Sequence, residues 1–185
     1  YAALTALNAG KLADVRARAT QAREFIAEWR RSGQVERVQA DQTIARLPVA
    51  ARVTILESQM LRALAVAESR DKGLSAGRPG LAAAADTAAN VDARAGSWLQ
   101  SGLAQDRAAL EIADGRPDSA VRILEEALTR YRRIATGTRI EANLLMDLGG
   151  ALQAAKREEE ALQRYAQAFE MYREQTETRG VAPIR

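Results

Sequence analysis

Cysteine and histidine are both missing from these 185 residues. Without cysteine there is no disulfide framework, thiolate nucleophile or Cys-based metal site, and the redox compartment stays open. Without histidine, Ser-His-Asp and Cys-His machinery, HExxH metal sites and a neutral imidazole base are excluded too. Any catalysis by this chain alone has to rest on carboxylates, Lys, Tyr or Ser. The expectation is a chain that is not an enzyme, with no catalytic residue, no metal site and no cofactor. Strand signals are equally scarce: there are two Phe, two Trp, four Tyr and four Pro, and β-branched clusters are few. No apolar run reaches the roughly 18 residues of a membrane span, so no membrane insertion is expected.

What is present is charge in near balance. Lys and Arg number 27 against 24 Asp and Glu, a formal net charge of +3, and the pI near 9.6 reflects arginine rather than a basic cluster, since Lys11, Lys72 and Lys156 are the only lysines. Nucleic-acid binders concentrate positive charge on one face or segment. "RYRRIATGTR" sets Arg130, Arg132, Arg133 and Arg139 around Tyr131, a pattern that suits phosphate. It equally suits the dipole at a helix C-terminus, and no nucleic-acid partner is expected. The richness in Arg and Ala fits a bacterial source. The opening "YAALTALNAG" has no initiator Met, so the chain reads as a fragment of a larger protein, soluble, with the cytoplasm favoured over the periplasm.

An Ala, Leu, Arg and Glu vocabulary favours helix throughout. Breaks fall at Gly10, Gly33, Pro48, the stretch from Lys72 to Gly77, Gly115, Gly137 and Gly180, leaving helical segments of roughly 15 to 22 residues, as in helical-hairpin arrays. Sliding the sequence on itself by 41 superposes Leu103 with Leu144, Asp106 with Asp147, Gly115 with Lys156, Arg116 with Arg157, Ala120 with Ala161, Ala127 with Ala168, Tyr131 with Tyr172 and Arg132 with Arg173. An offset of 38 lays "GRPGLAAAAD" on "GRPDSAVRIL", with Ala82 and Ala89 over Ala120 and Ala127. A weaker copy near the start sets Val15 and Ala22 seven residues apart. Seven residues are two helical turns, so each pair of small side chains lies on one face, where a second helix can approach closely.

Leu145, Leu148, Gly149 and Leu152, followed by Ala161, Tyr165 and Ala168, resemble the tetratricopeptide repeat. The match is close over residues 142 to 175 and fair over 101 to 134, where Ala108 takes the glycine place and Leu124 the aromatic one. A period of 38 to 41 exceeds the usual ~34 and resembles the longer repeats of bacterial signalling proteins and kinesin light chains. The resemblance implies an all-α, right-handed α-solenoid of helical hairpins in one domain over 1–185, with units at about 1–32, 49–93, 97–135 and 138–178. An irregular helical insertion covers 33–48, followed by a long helix up to residue 72.

Tetratricopeptide arrays use the first helix of each hairpin to line a concave groove for a peptide or helix of a partner. Carried over position by position, that lining is Gly102, Gln105, Asp106, Ala109 and Ile112, then Asn143, Met146, Asp147, Gly150 and Gln153. The partner-binding residues read from it are Gln105, Asp106, Asn143, Met146, Asp147 and Gln153. Two acids with amides beside them suit a basic or amide-rich segment, because carboxylates accept charge-assisted hydrogen bonds. Pairing of both aspartates with arginines of neighbouring helices is an equal alternative. A clamp for an acidic peptide C-terminus is not expected, since Asp106 and Asp147 stand where such clamps carry Lys and Asn.

Other features have structural readings. Glu158, Glu159 and Glu160 fall in the first turn of a helix, where the unpaired N–H groups favour negative charge. Trp98 and Trp29 are read as filling space between hairpins, with an exposed anchor for a partner as the other reading of Trp98, and the alanine face of "LAAAADTAANVD" either as packing on Gly or Ala of a neighbour or as a contact surface left bare by truncation. The repeated Gly-Arg-Pro is read as the turn inside a hairpin, Gly supplying a positive φ and Pro opening the second helix. The expected function is a non-catalytic scaffold or sensor module for a protein or peptide, and a homodimer through an exposed terminal hairpin is a further expectation. Two other settings stay open: the regulatory region of a bacterial caspase-like peptidase of the CHAT type, which the ending "YREQTETRGVAPIR" faintly resembles, and the sensing arm of a helical-repeat transcription regulator.

Overall fold

The computed structural model describes residues 12–31 and 47–180. The breaks at Gly10 and Gly33, nearly all of the span 33–48, and the side chain of Trp29 lie outside the described residues. Every regular element is helical, with no strand among the described residues: α1 Leu12–Arg31, α2 Val49–Lys72, a 3-10 turn Leu74–Gly77, α3 Arg78–Ala89, α4 Ala93–Ala113, α5 Pro117–Arg132, α6 Arg139–Ala154 and α7 Glu158–Gly180. The chain divides into two compact units, one ending at Leu103 and the other beginning at Ala104.

In the first unit α1 lies against α2, joined by Val15 with Ala63 and Ala67, and by Ala19 with Met60. Arg16 meets Asp71 at 2.6 Å and Arg30 meets Glu57 at 2.7 Å. The start of one helix thus faces the end of the other, and the pair is antiparallel. Small residues let α2 and α3 approach closely. A Cβ on Gly80 would stand 2.7 Å from that of Ala65, and the buried Ser58 hydroxyl donates to the Ala84 carbonyl at 2.7 Å. The alanine face of α3 therefore packs on a small-residue neighbour as expected.

The register of that packing differs from the one the offset of 38 implies. Ala82 and Ala89 are exposed, and Leu81, Ala84 and Ala88 are buried instead. The reason lies in the turn. Gly73 carries the positive φ of 97°, while Gly77 is helical at φ −80° and ψ −14°. Gly77 is needed for space: a Cβ there would fall 1.8 Å from Ser69 Oγ and 2.4 Å from the Ala65 carbonyl oxygen. Pro79 does open its helix as read. Trp98 is 38% exposed, so it is a rim residue rather than a filler.

The second unit is built from the end of α4 with α5, α6 and α7 around one core. Ala104 and Ala108 from α4, Leu124 and Leu128 from α5, Leu144, Leu145, Leu148 and Leu152 from α6, and Ala161 and Ala168 from α7 are all buried in it. The α4–α5 and α6–α7 turns share one geometry, 41 residues apart. In the first, Gly115 N–H donates to the Ile112 carbonyl at 3.0 Å and Arg116 N–H to that of Glu111 at 2.8 Å. In the second, Lys156 N–H donates to Gln153 at 3.0 Å and Arg157 N–H to Leu152 at 2.9 Å. This is the Schellman closure, in which a residue in the left-handed region caps the helix. Gly115 sits there at φ 72° and Lys156, without glycine's freedom, at φ 62°.

Candidate partner-binding face

Helix α6 has two faces. Leu144, Leu145, Leu148, Ala151 and Leu152 are buried, each leucine contributing about 1.5–3 kcal/mol on full burial. On the other side Asn143, Met146, Asp147 and Gln153 are exposed, with Gly150 half-buried between them. Steps of three and four residues keep these polar positions on one stripe. From α4, Gln105 and Asp106 are half-buried and Ala109 is exposed.

The Gln105 amide donates to Asp147 Oδ2 at 2.5 Å, linking the first helices of successive hairpins across the stripe. Of the two readings for Asp147, pairing with an arginine gives way to a bond from a neutral amide, which leaves the carboxylate its charge. Although Asp147 lies on the exposed stripe, partial loss of water around its carboxylate raises the pKa above its ordinary value, the Gln105 hydrogen bond pulls it down, and the neighbouring Asp106 charge pushes it up again. A cation arriving here would relieve both causes of the increase. The alignment also places Gly102 on this face, but that residue is buried in the first unit, where a Cβ would stand 2.7 Å from Arg62 Nη1.

Two residues of the face are braced from behind by tyrosines that the sequence reading used only to set the repeat register. The Tyr165 hydroxyl donates to Gln153 Oε1 at 3.2 Å, and the Tyr172 hydroxyl donates to Asn143 Oδ1. The signal was available, since tyrosines seven residues apart on the second helix fall opposite amides ten apart on an antiparallel first helix. The equivalent of Tyr172, Tyr131, has no such amide to meet because Asn143 aligns with Gly102. Its hydroxyl instead accepts from Thr138 Oγ1 at 2.9 Å.

A second polar cluster holds the α5–α6 loop. Glu141 is 4% exposed. Its Oε1 accepts from Arg132 Nε at 2.7 Å and its Oε2 from Gly137 N–H at 2.8 Å, while Thr138 Oγ1 accepts from the Glu141 N–H at 3.2 Å. The carboxylate also lies in the first turn of α6, where the dipole favours it. The Thr-x-x-Glu spacing is that of a capping box, a sequence signal that marks this buried acid. Arg132 thereby has a structural partner.

The arginines of the Gly-Arg-Pro turn and its equivalent are held locally. Arg116 Nε meets Glu111 at 2.8 Å, and Arg157 makes two bonds of 2.7 Å to Glu160. That contact raises the Arg157 pKa and lowers that of Glu160. Among the described residues no group of three or more acids is placed to hold a metal ion, and no helix is long and apolar enough to cross a membrane.

Residues 100–174 match the family model of the tetratricopeptide repeat. No curated protein matches the chain, and the match carries nothing of a CHAT-type peptidase. It covers both hairpins in which the 41-residue register, the shared turn geometry and the small-residue packing are found. Residues 100–174 are thus similar to the tetratricopeptide repeat, a family that generally mediates protein–protein interaction and is generally non-catalytic.

Proposed function

We propose that the stripe formed by Gln105, Asp106, Asn143, Met146, Asp147 and Gln153 is the surface on which this chain captures a protein partner, and that the captured segment is extended and basic or amide-rich. The observation that carries this reading is the Gln105–Asp147 bond of 2.5 Å, which joins polar groups of two first helices into one row. Side-chain amides suit the backbone of an extended segment, each offering a donor and an acceptor. The two acids suit Lys or Arg, and Met146, 41% exposed, offers an adaptable apolar contact. On this reading the chain is a scaffold or sensor module for the protein it captures.

The test is direct. Peptides graded from Lys- and Gln-rich to Asp- and Glu-rich are titrated against the chain and against an Asp106→Lys, Asp147→Lys double variant. The basic peptides bind the parent chain and lose binding to the variant, whose helicity is unchanged by circular dichroism. Equal binding of both peptide classes, or equal binding by the double variant, rules out the acidic row as the site.

A further inference from the structure

Helices α5 and α7 are equivalent in the 41-residue register, yet one face is buried on α5 and bare on α7. Val121 and Leu128 of α5 are 3% and 5% exposed because α6 packs on that helix. Their equivalents on α7, Leu162 and Phe169, are 68% and 64% exposed. Ala166, also exposed, lies between them on the same stripe, four residues beyond Leu162 and three before Phe169. The shape that fits this surface is the one α6 presents to α5, a helix with an apolar stripe.

From this we infer that the α7 face is the homodimer interface of this chain, formed by antiparallel packing of α7 on α7 of a second copy. The stripe is self-complementary about Ala166, as a two-fold interface requires. Reversed on itself, it sets Leu162 against the partner's Phe169 and brings the two Ala166 residues close to the two-fold axis, one residue off register, so large side chains flank a close approach. The same reversal lays Glu158 and Glu159, at the N-terminal end of the stripe, beside Arg173 at the other. Charge complementarity thus occurs twice per dimer. Arg173 is held within its own helix by Glu170 at 2.5 Å. Its equivalent Arg132 takes a carboxylate from the helix that covers α5, through Glu141 at 2.7 Å. In the dimer Arg173 takes one from the second copy in the same way. A parallel arrangement would set Arg173 against Arg173 and the glutamates against each other.

The absence of cysteine makes the test clean. The 185-residue chain is examined by sedimentation equilibrium from low micromolar to high concentration, and dimerises. A Leu162→Glu, Phe169→Glu variant weakens the dimer by at least about tenfold, since each change removes a buried apolar contact, and retains parent helicity, with parent melting at dilutions where both proteins are monomeric, because both positions are exposed in the single chain. Ala166→Cys gives a disulfide-linked dimer on mild oxidation, and Gln167→Cys, exposed one position off the stripe, gives much less. A chain that stays monomeric throughout, a double variant that dimerises like the parent, or equal cross-linking at 166 and 167 overturns the proposal.

Discussion

The ring of Tyr165 occupies the space a side chain on Gly149 would need: a Cβ there would stand 2.6 Å from the ring. Ring and backbone thus lock α6 to α7, and a methyl group at Gly149 has to displace the ring or separate the helices. Gly149→Ala is expected to destabilise the chain by about 1–3 kcal/mol, as overpacking does. The adjacent Gly150 is the control. Its Cβ would lie 3.7 Å from the Tyr165 hydroxyl, an ordinary contact, and Gly150→Ala gains up to about 1 kcal/mol of helix propensity. Urea unfolding of the two variants should therefore move in opposite directions.

A second prediction concerns the two turns. Lys156 holds φ 62° where Gly115 holds φ 72°, and the left-handed region costs a side-chain-bearing residue roughly 1 kcal/mol. Lys156→Gly is expected to stabilise by about 0.5–1 kcal/mol, and Gly115→Ala to destabilise by about 1 kcal/mol. Melting temperatures of the two variants, measured against the parent chain, check both signs. A Lys156→Gly variant less stable than the parent would mean that the lysine side chain contributes more than its backbone strain removes.

How much of this was legible depends on what kind of signal each residue sends. The register of 41 was readable because Ala120 and Ala161, or Ala127 and Ala168, are constrained by helix–helix distance, and such constraints recur with the structural unit. The three-letter repeat at Gly77 misled because the same letters serve different ends. At Gly115 glycine supplies a backbone conformation, and at Gly77 it supplies room beside Ser69. Sequence does not distinguish the two, since both demand a missing Cβ. The positions of Asn143, Met146, Asp147 and Gln153 were implied by the resemblance to the tetratricopeptide repeat, and helical spacing then keeps them on one stripe of α6. The Gln105–Asp147 bond was not implied, because which of several polar groups pair across two helices depends on ångström-scale geometry. An exposed terminal hairpin was expected, but that Leu162 and Phe169 are the residues left bare on it was unreadable: their equivalents have the same apolar character and are buried.

Glu141 supplies a third prediction. Its carboxylate accepts bonds from Arg132 and from the Gly137 N–H, and its removal leaves both donors without it. Arg132 is 44% exposed on its side chain, so water recovers part of the loss, and Glu141→Ala is expected to cost about 1–3 kcal/mol rather than the 3–5 of a fully buried pair. Glu141→Gln, which can still accept from Gly137, should cost less than Glu141→Ala. Thermal unfolding orders the three proteins. A Glu141→Ala variant with the parent's melting temperature would show that the α5–α6 loop is held by other contacts.

The pH dependence of Asp147 follows from its environment. Its pKa is raised, first by burial and further by Asp106, so the folded chain keeps this proton in a range where the unfolded chain has released it. The folded state then binds more protons than the unfolded one, and the stability contributed by this group falls as pH rises from the ordinary carboxylate value through the raised one. Asp147→Asn removes the charge that burial penalises and is expected to be more stable than the parent at neutral pH, with the difference vanishing in acid below the ordinary value. Capture of a basic segment works in the opposite direction. A cation at Asp147 favours the ionised form, draws the pKa down and releases a proton, so affinity increases with pH across the same window. Calorimetric titration of a Lys-rich peptide in two buffers of different ionisation heat measures that proton release. In Asp147→Asn the release is lost and the affinity becomes flat over the window, while a release that persists in the variant would show that Asp147 is not its source.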